Sequence, residues 1–115
     1  MESKELAKLI AEYALEKKAE DVVLLNLIEV TTITDYFVIC SADSDAQVKA
    51  ITDNIIVKLK EQKRKIWHTE GYLSLQWVLL DLVDVVVHIF QPESRAYYGL
   101  EKLWGDAEIT KVEDL

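Results

Sequence analysis

The stretch that decides the fold is residues 77–104, WVLLDLVDVVVHIFQPESRAYYGLEKLW. Runs of aliphatic and aromatic residues at 75–81 and 84–90 predict two strands, joined by Leu82-Val83 as a two-residue hairpin loop. The predicted register pairs Asp81 with Asp84, Leu79 with Val86, Trp77 with His88 and Leu75 with Phe90. Pro92-Glu93 then predicts the start of a helix, and Gly105 is expected to end it.

The predicted hairpin has two different faces, because side chains alternate along a strand. The first face is almost purely apolar and is expected to be core: Val78, Leu80, Val85, Val87 and Ile89. The second face has the apolar centre and polar edge of a protein interface, and the last helix extends it. The predicted partner-binding residues are Trp77, Leu79, Asp81, His88, Phe90, Tyr98, Lys102 and Trp104. The alternative is that the first or the last helix covers this face and makes it ordinary core.

The rest of the chain predicts further helices and strands. Apolar residues at helical spacing indicate a first helix over 3–18, and Ser44-x-x-Gln47 is a capping-box pattern that starts the next one. Apolar runs predict strands at 22–28 and 36–41, and a short extra strand near Ile66.

These elements together predict an α/β fold with a single small mixed sheet flanked by helices, in the order αββαββα. We expect residues 1–105 to form this one domain. Residues 106–115 are expected to be an acidic C-terminal tail.

Composition limits the partners. The net charge of −8 argues against direct binding of nucleic acid and suits a basic protein partner, although an acidic surface also simply favours solubility. The basic run from Lys58 to Lys65 leaves a minor RNA contact open. The single cysteine, Cys40, is expected to be buried. No membrane-spanning run or targeting peptide is recognisable, so we expect a bacterial cytoplasmic protein without membrane contact.

Chemistry has little support in the sequence. Asp81 and Asp84 could bind a metal ion, and the order of elements is similar to that of nucleotidyltransferases. Neither hairpin strand carries the Asp-x-Asp motif of those enzymes, however, and no glycine-rich phosphate loop is present. One cysteine and two histidines are too few for a zinc site. We therefore expect no enzymatic activity, no metal and no cofactor.

Several motifs in one order resemble the ribosomal silencing factor family, also called Iojap-like. They are "TDYFVIC" with Ser44 and Gln47, then Glu70-Gly71, then "WVLLDL-x-DVVVHIF-QPESR-x-YY-x-LEKLW". The resemblance implies a cytoplasmic repressor of translation. It would bind a basic protein of the large ribosomal subunit, the fourteenth in the usual count, and block joining of the small subunit. The alternatives are a nucleotidyltransferase-like, metal-dependent enzyme and a module that forms homodimers through the same aromatic face.

The chain departs from the family pattern in the hairpin. Val83 stands at the turn position that is usually glycine. A β-branched residue disfavours a positive φ and fits a type I′ turn poorly. We therefore expect a turn of another type or a locally strained one.

Overall fold

A computed structural model describes residues 2–113 of the protein. Its elements are α1 (Ser3–Glu16), β1 (Glu20–Asn26), β2 (Tyr36–Ser41), α2 (Asp45–Glu61), β3 (His68–Glu70), β4 (Trp77–Asp81), β5 (Val85–Phe90), α3 (Pro92–Tyr98), α4 (Leu100–Leu103) and β6 (Glu108–Lys111). The predicted α/β class with one mixed sheet flanked by helices is confirmed. Strand β3 corresponds to the short extra strand expected near Ile66, and β6 is a strand that was not predicted.

The six strands form one sheet in the order β3-β4-β5-β2-β1-β6. The central pair, β2 and β5, is parallel, and every other neighbouring pair is antiparallel. A parallel pair needs a long crossover connection, and α2 with the β3–β4 hairpin supplies it. The crossover brings the hairpin of residues 77–90 beside β2, in the middle of the sheet.

Helices α1 and α2 cover one face of the sheet and form the main core. All five residues predicted for the first hairpin face are fully buried there: Val78, Leu80, Val85, Val87 and Ile89. The predicted cap of α2 is confirmed, since the Ser44 hydroxyl accepts a hydrogen bond from the Gln47 amide at 3.1 Å. Cys40 is also fully buried, and this burial raises the pKa of its thiol to about 12.

The hairpin register differs from the predicted one by two residues. Asp81 pairs with Val86 and Trp77 pairs with Phe90, and the loop is Val83-Asp84. The predicted loop would have placed Leu82 in solvent, whereas the observed one buries it. Leu75, with φ 59°, lies outside the strand. A shift of two preserves the alternation of side chains, so the assignment of residues to the two faces remains correct for β4 and β5.

Val83 lies in a strained turn of another type. Its φ is 75°, and the Asp84 amide donates to the Leu82 carbonyl at 3.0 Å. A hydrogen bond that spans two residues around such a φ defines the rare form of γ-turn. The Asp81 carboxylate accepts a hydrogen bond from the Val83 amide at 2.8 Å and stabilises the turn.

The C-terminal region also differs from the prediction. The expected single helix is broken at Gly99, whose φ of 53° ends α3, while Gly105 does not cap it. Glu108–Lys111, expected in the acidic tail, pair with β1 as strand β6. Residues 114 and 115 of the predicted tail lie outside the described residues. The break and the added strand follow from tertiary pairing, which local periodicity does not report.

Three smaller boundaries moved as well. The strand expected near Ile66 is His68–Glu70, two residues later in the chain. The strand expected at 22–28 is Glu20–Asn26. Helix α1 ends at Glu16, two residues earlier than expected, and its N-cap is Glu2.

Candidate partner-binding surface

The second face of the sheet is only partly covered. Trp104 and Leu100 pack over Phe90, Ile39 and the neighbouring part of β1 in a small second core. Between this core and the β3 edge, several side chains remain half-buried or half-exposed. We call this region the candidate surface: Phe37 of β2, Trp77, Leu79 and Asp81 of β4, Val86 of β5, and Tyr98 of α3. Neither alternative from the sequence holds for the whole face, because one part is core and the other is open.

Trp77 is held in place by contacts on several sides. Its ring stacks on Phe90 with centroids 5.0 Å apart and lies 4.6 Å from the ring of Tyr98. Its indole N–H donates to His88 Nδ1 at 3.1 Å. Because these contacts restrict its rotamer, Trp77 loses little conformational entropy if a partner packs on it.

His88 lies beneath the candidate surface. Its side chain is 3% exposed, and this burial lowers its pKa to about 3, so the ring is neutral at physiological pH. Nδ1 accepts the Trp77 hydrogen bond, which places the proton on Nε2, and Nε2 has no partner within residues 2–113. The ring of Phe37 meets His88 edge-on at 4.5 Å. His88 therefore supports both aromatic residues from below.

The predicted site residues fall into three groups. Trp77, Leu79, Asp81 and Tyr98 lie together on the candidate surface. His88 and Phe90 are buried under it, and Trp104 packs edge-on against Phe37 at 6.0 Å. Lys102 is exposed and lines a shallow groove with Glu20 and Arg95. Both His88 and Phe90 are buried and contact Trp77, His88 through the indole hydrogen bond and Phe90 through ring stacking, so neither is open to direct contact with a partner.

Arg95 was not identified from the sequence. Its guanidinium binds both carboxylate oxygens of Glu101, at 3.0 and 3.1 Å, and donates to Ser41 Oγ at 2.8 Å. These bonds connect α3, α4 and the end of β2, and they hold the broken helix against the sheet. Only the tertiary arrangement brings these three side chains together.

Asp81 and Asp84 of the hairpin form structural hydrogen bonds, Asp81 through its carboxylate and Asp84 through its backbone carbonyl. Asp81 caps the turn at Val83, and the backbone carbonyl of Asp84 accepts hydrogen bonds from the amides of Asp35 and Tyr36. Within residues 2–113, no group of three or more His, Cys, Asp or Glu side chains is placed to hold a metal ion. None of the helices described is long and apolar enough to cross a membrane.

Comparison with known proteins identifies the family. Residues 1–115 match the family model described as "Ribosomal silencing factor during starvation". The chain belongs to the ribosomal silencing factor family. It is 46% identical over 113 residues to ribosomal silencing factor RsfS of Halalkalibacterium halodurans, which covers 98% of this chain and 97% of that protein. It is 38% identical over 98 residues to the chloroplastic protein Iojap of Zea mays, covering 85% of this chain and 42% of that one.

Solved structures show the same fold. A crystal structure of a protein from Chromobacterium violaceum superposes with a TM-score of 0.88 at 37% identity and covers 99% of this chain and 95% of that one. A Bacillus halodurans protein has a TM-score of 0.81 at 43% identity, covering 96% and 99%. The family resemblance inferred from the hairpin motifs is confirmed.

Two residues of the candidate surface, Val86 and Phe37, are not among the partner-binding residues predicted from the sequence. Val86 lies two residues before His88 on β5, so the two-residue period of a strand places both side chains on the same face and could have identified Val86. Phe37 lies on a distant strand, and it joins the surface only because β2 pairs with β5 in parallel, which places Phe37 opposite Val86.

Proposed function

We propose that this protein represses translation by docking on a basic protein of the large ribosomal subunit, the fourteenth in the usual count, and blocking the joining of the small subunit. The proposal places this activity in the bacterial cytoplasm and requires no catalysis. Membership of the silencing factor family supports a ribosomal role. The observation that carries the docking site is the candidate surface, a sheet face that the protein's own helices leave open.

The chemistry of this surface suits protein recognition. Leu79 and Val86 provide a half-buried aliphatic centre, and Trp77 and Tyr98 provide aromatic rings beside it. Interfaces of this kind often depend on a few aromatic anchors in a desolvated centre. The net charge of −8 favours encounter with a basic partner by electrostatic attraction.

The proposal is tested by co-sedimentation with isolated large and small subunits and by calorimetry with the purified basic protein. The test variants are Leu79→Lys and Val86→Lys, which place a charge in the centre of the surface. The matched control is Val57→Lys on α2, which packs on the opposite sheet face and leaves Val57 53% exposed. We expect the test variants to weaken binding at least about 30-fold, the factor that about 2 kcal/mol represents.

The results separate the alternatives. Wild-type retention on the large subunit only, with fewer joined ribosomes when both subunits are mixed, supports the proposed mechanism. Equal binding by Leu79→Lys and Val57→Lys would show that the candidate surface does not dock the partner. Thermal unfolding of each variant identifies any loss that comes from misfolding.

Self-association is a second candidate for the same surface, because exposed apolar and aromatic side chains also favour homodimers. Sedimentation of the free protein distinguishes it. A dimer that Leu79→Lys dissociates, and that the ribosomal partner does not displace, would favour a dimerisation module over a docking surface.

A further inference from the structure

One end of the molecule is basic although the chain as a whole is acidic. Five of its 13 lysine and arginine residues lie within residues 58–65, at the C-terminal end of α2: Lys58, Lys60, Lys63, Arg64 and Lys65. Only Glu61 within this run is acidic. Among residues 2–113, none of the five basic side chains forms an ion pair. We call residues 58–67 the basic end.

Helix stability explains only part of this charge. Lys58 and Lys60 lie in the last turn of α2, where cations are favourable against the helix dipole. Lys63 follows the helix with φ 59°, and the Arg64 amide donates to the Leu59 carbonyl at 2.9 Å, the geometry of a Schellman motif. Glycine is the residue that takes this conformation without steric penalty. Capping therefore does not account for a lysine at position 63.

An exposed aromatic ring lies beside these cations. Trp67 is 62% exposed, and the Lys65 ammonium sits 3.8 Å from its ring centroid. A cation–π contact of this length holds the lysine in position. Cationic side chains next to an exposed aromatic ring combine phosphate contact with a plane on which a base can stack. An acidic protein segment would use only the charges, so this combination favours RNA.

The basic end is continuous with the candidate surface. The Trp67 amide donates to the Asp81 carbonyl at 2.8 Å, and His68, the next residue, pairs with Asp81 across β3 and β4. A protein bound over Leu79 and Asp81 therefore has Trp67, the last residue of the basic end, directly beside it. On a ribosomal subunit, the neighbours of a protein at the surface include the RNA backbone.

We propose that the basic end contacts RNA phosphates of the large subunit while the candidate surface holds the protein partner. This inference rests on the proposed function and adds a second, electrostatic contact to it. The basic end can make this contact although the protein as a whole does not bind free RNA, because the net charge of −8 repels RNA at a distance.

The test compares two double variants that each remove two positive charges near the end of a helix. K60Q/K63Q removes them from the basic end. K17Q/K18Q is the matched control at the end of α1, where Lys18 has φ 62°, like Lys63. Affinity is measured for the intact large subunit over a series of salt concentrations, and for the isolated ribosomal protein without RNA.

We expect K60Q/K63Q to weaken binding to the large subunit by about tenfold and to reduce the slope of log K against log salt by about two, one for each lysine. Affinity for the isolated protein should stay at the wild-type value, and K17Q/K18Q should match wild type in both assays. Only the intact subunit contains RNA, so only the assay with the subunit detects loss of the proposed RNA contact.

Each contrary result is distinct. Equal weakening toward the subunit and the isolated protein would assign the basic end to a protein contact and overturn the proposal. Equal binding of K60Q/K63Q and K17Q/K18Q to the subunit would show that the basic end is merely solvated, and would also overturn it, while leaving the docking function intact. Absence of wild-type binding to both targets would overturn the docking function, and this inference with it.

Discussion

His88 makes the stability of this protein sensitive to mild acid. Its side chain is 97% buried in an aromatic setting of Phe37, Trp77 and Phe90, which holds its pKa at about 3 against an ordinary value of 6.5. Between these two values the unfolded chain binds a proton that the folded chain does not. The stability that depends on a neutral His88 is therefore fully present above pH 6.5, and it is lost progressively as the pH falls toward 3.

The size of the effect follows from the same two pKa values. Between pH 7 and pH 5 the unfolded state gains most of one proton at His88 while the folded state gains almost none. Each pH unit over which this difference is complete is worth about 1.4 kcal/mol, so the free energy of unfolding should fall by about 2 kcal/mol across this interval. The His88→Phe variant cannot titrate there, so its loss should be smaller by that amount.

The assay is urea unfolding of both proteins at several pH values, in a His68→Gln background that leaves His88 as the sole histidine. The other ionisable groups are common to both proteins, so they cancel in the difference between the two slopes. His88→Phe leaves the Trp77 indole N–H without its acceptor, which lowers stability at every pH and does not alter the comparison. Equal slopes for the two proteins between pH 7 and pH 5 would show that the folded protein accepts the proton and would refute the burial argument.

Three further predictions concern backbone conformation and helix capping. Gly71→Ala should destabilise the fold by about 3 kcal/mol or more in urea unfolding, because φ is +80° and the new Cβ would lie 1.9 Å from the Trp77 carbonyl oxygen; a near-wild-type midpoint would contradict this. Lys63→Gly and Lys18→Gly should each stabilise by about 1 kcal/mol, since both lysines adopt the left-handed conformation, and a lower melting temperature would refute the strain. Ser44→Ala should cost about 1 kcal/mol through loss of the α2 cap, and an unchanged unfolding midpoint would count against it.

The Lys63 prediction connects stability with the proposed RNA contact. If glycine at position 63 stabilises the fold and also weakens binding to the large subunit, the lysine is present for a contact rather than for folding. The same change at Lys18 should stabilise without altering binding. Comparison of Lys63→Gly with Lys18→Gly therefore separates the effect of glycine on stability from its effect on binding to the large subunit.

Much of the fold could be read from local patterns. The strand of residues 36–41 and the capped start of α2 are where the sequence predicts them. The core face of the hairpin was correct even though its register was wrong by two, since alternation survives an even shift. What failed was the choice of turn. The γ-turn at Val83 depends on the hydrogen bond to the Asp81 carboxylate and on the burial of Leu82. The residue preferences of hairpin turns, which favour glycine at this position, do not include these two contacts.

The sequence by itself determined the class, the strands and the two chemically different hairpin faces, because hydrophobic periodicity and caps act over a few residues. It also carried the motifs that identify the family. Only the tertiary structure decided how far the second face is open. The openness of this face depends on the helix break at Gly99, on the Arg95–Glu101 ion pair and on the pairing of β2 with β5. These features bring together residues from distant parts of the chain. The exposure of Trp77 and the burial of His88 follow from those long-range contacts, which local sequence does not encode.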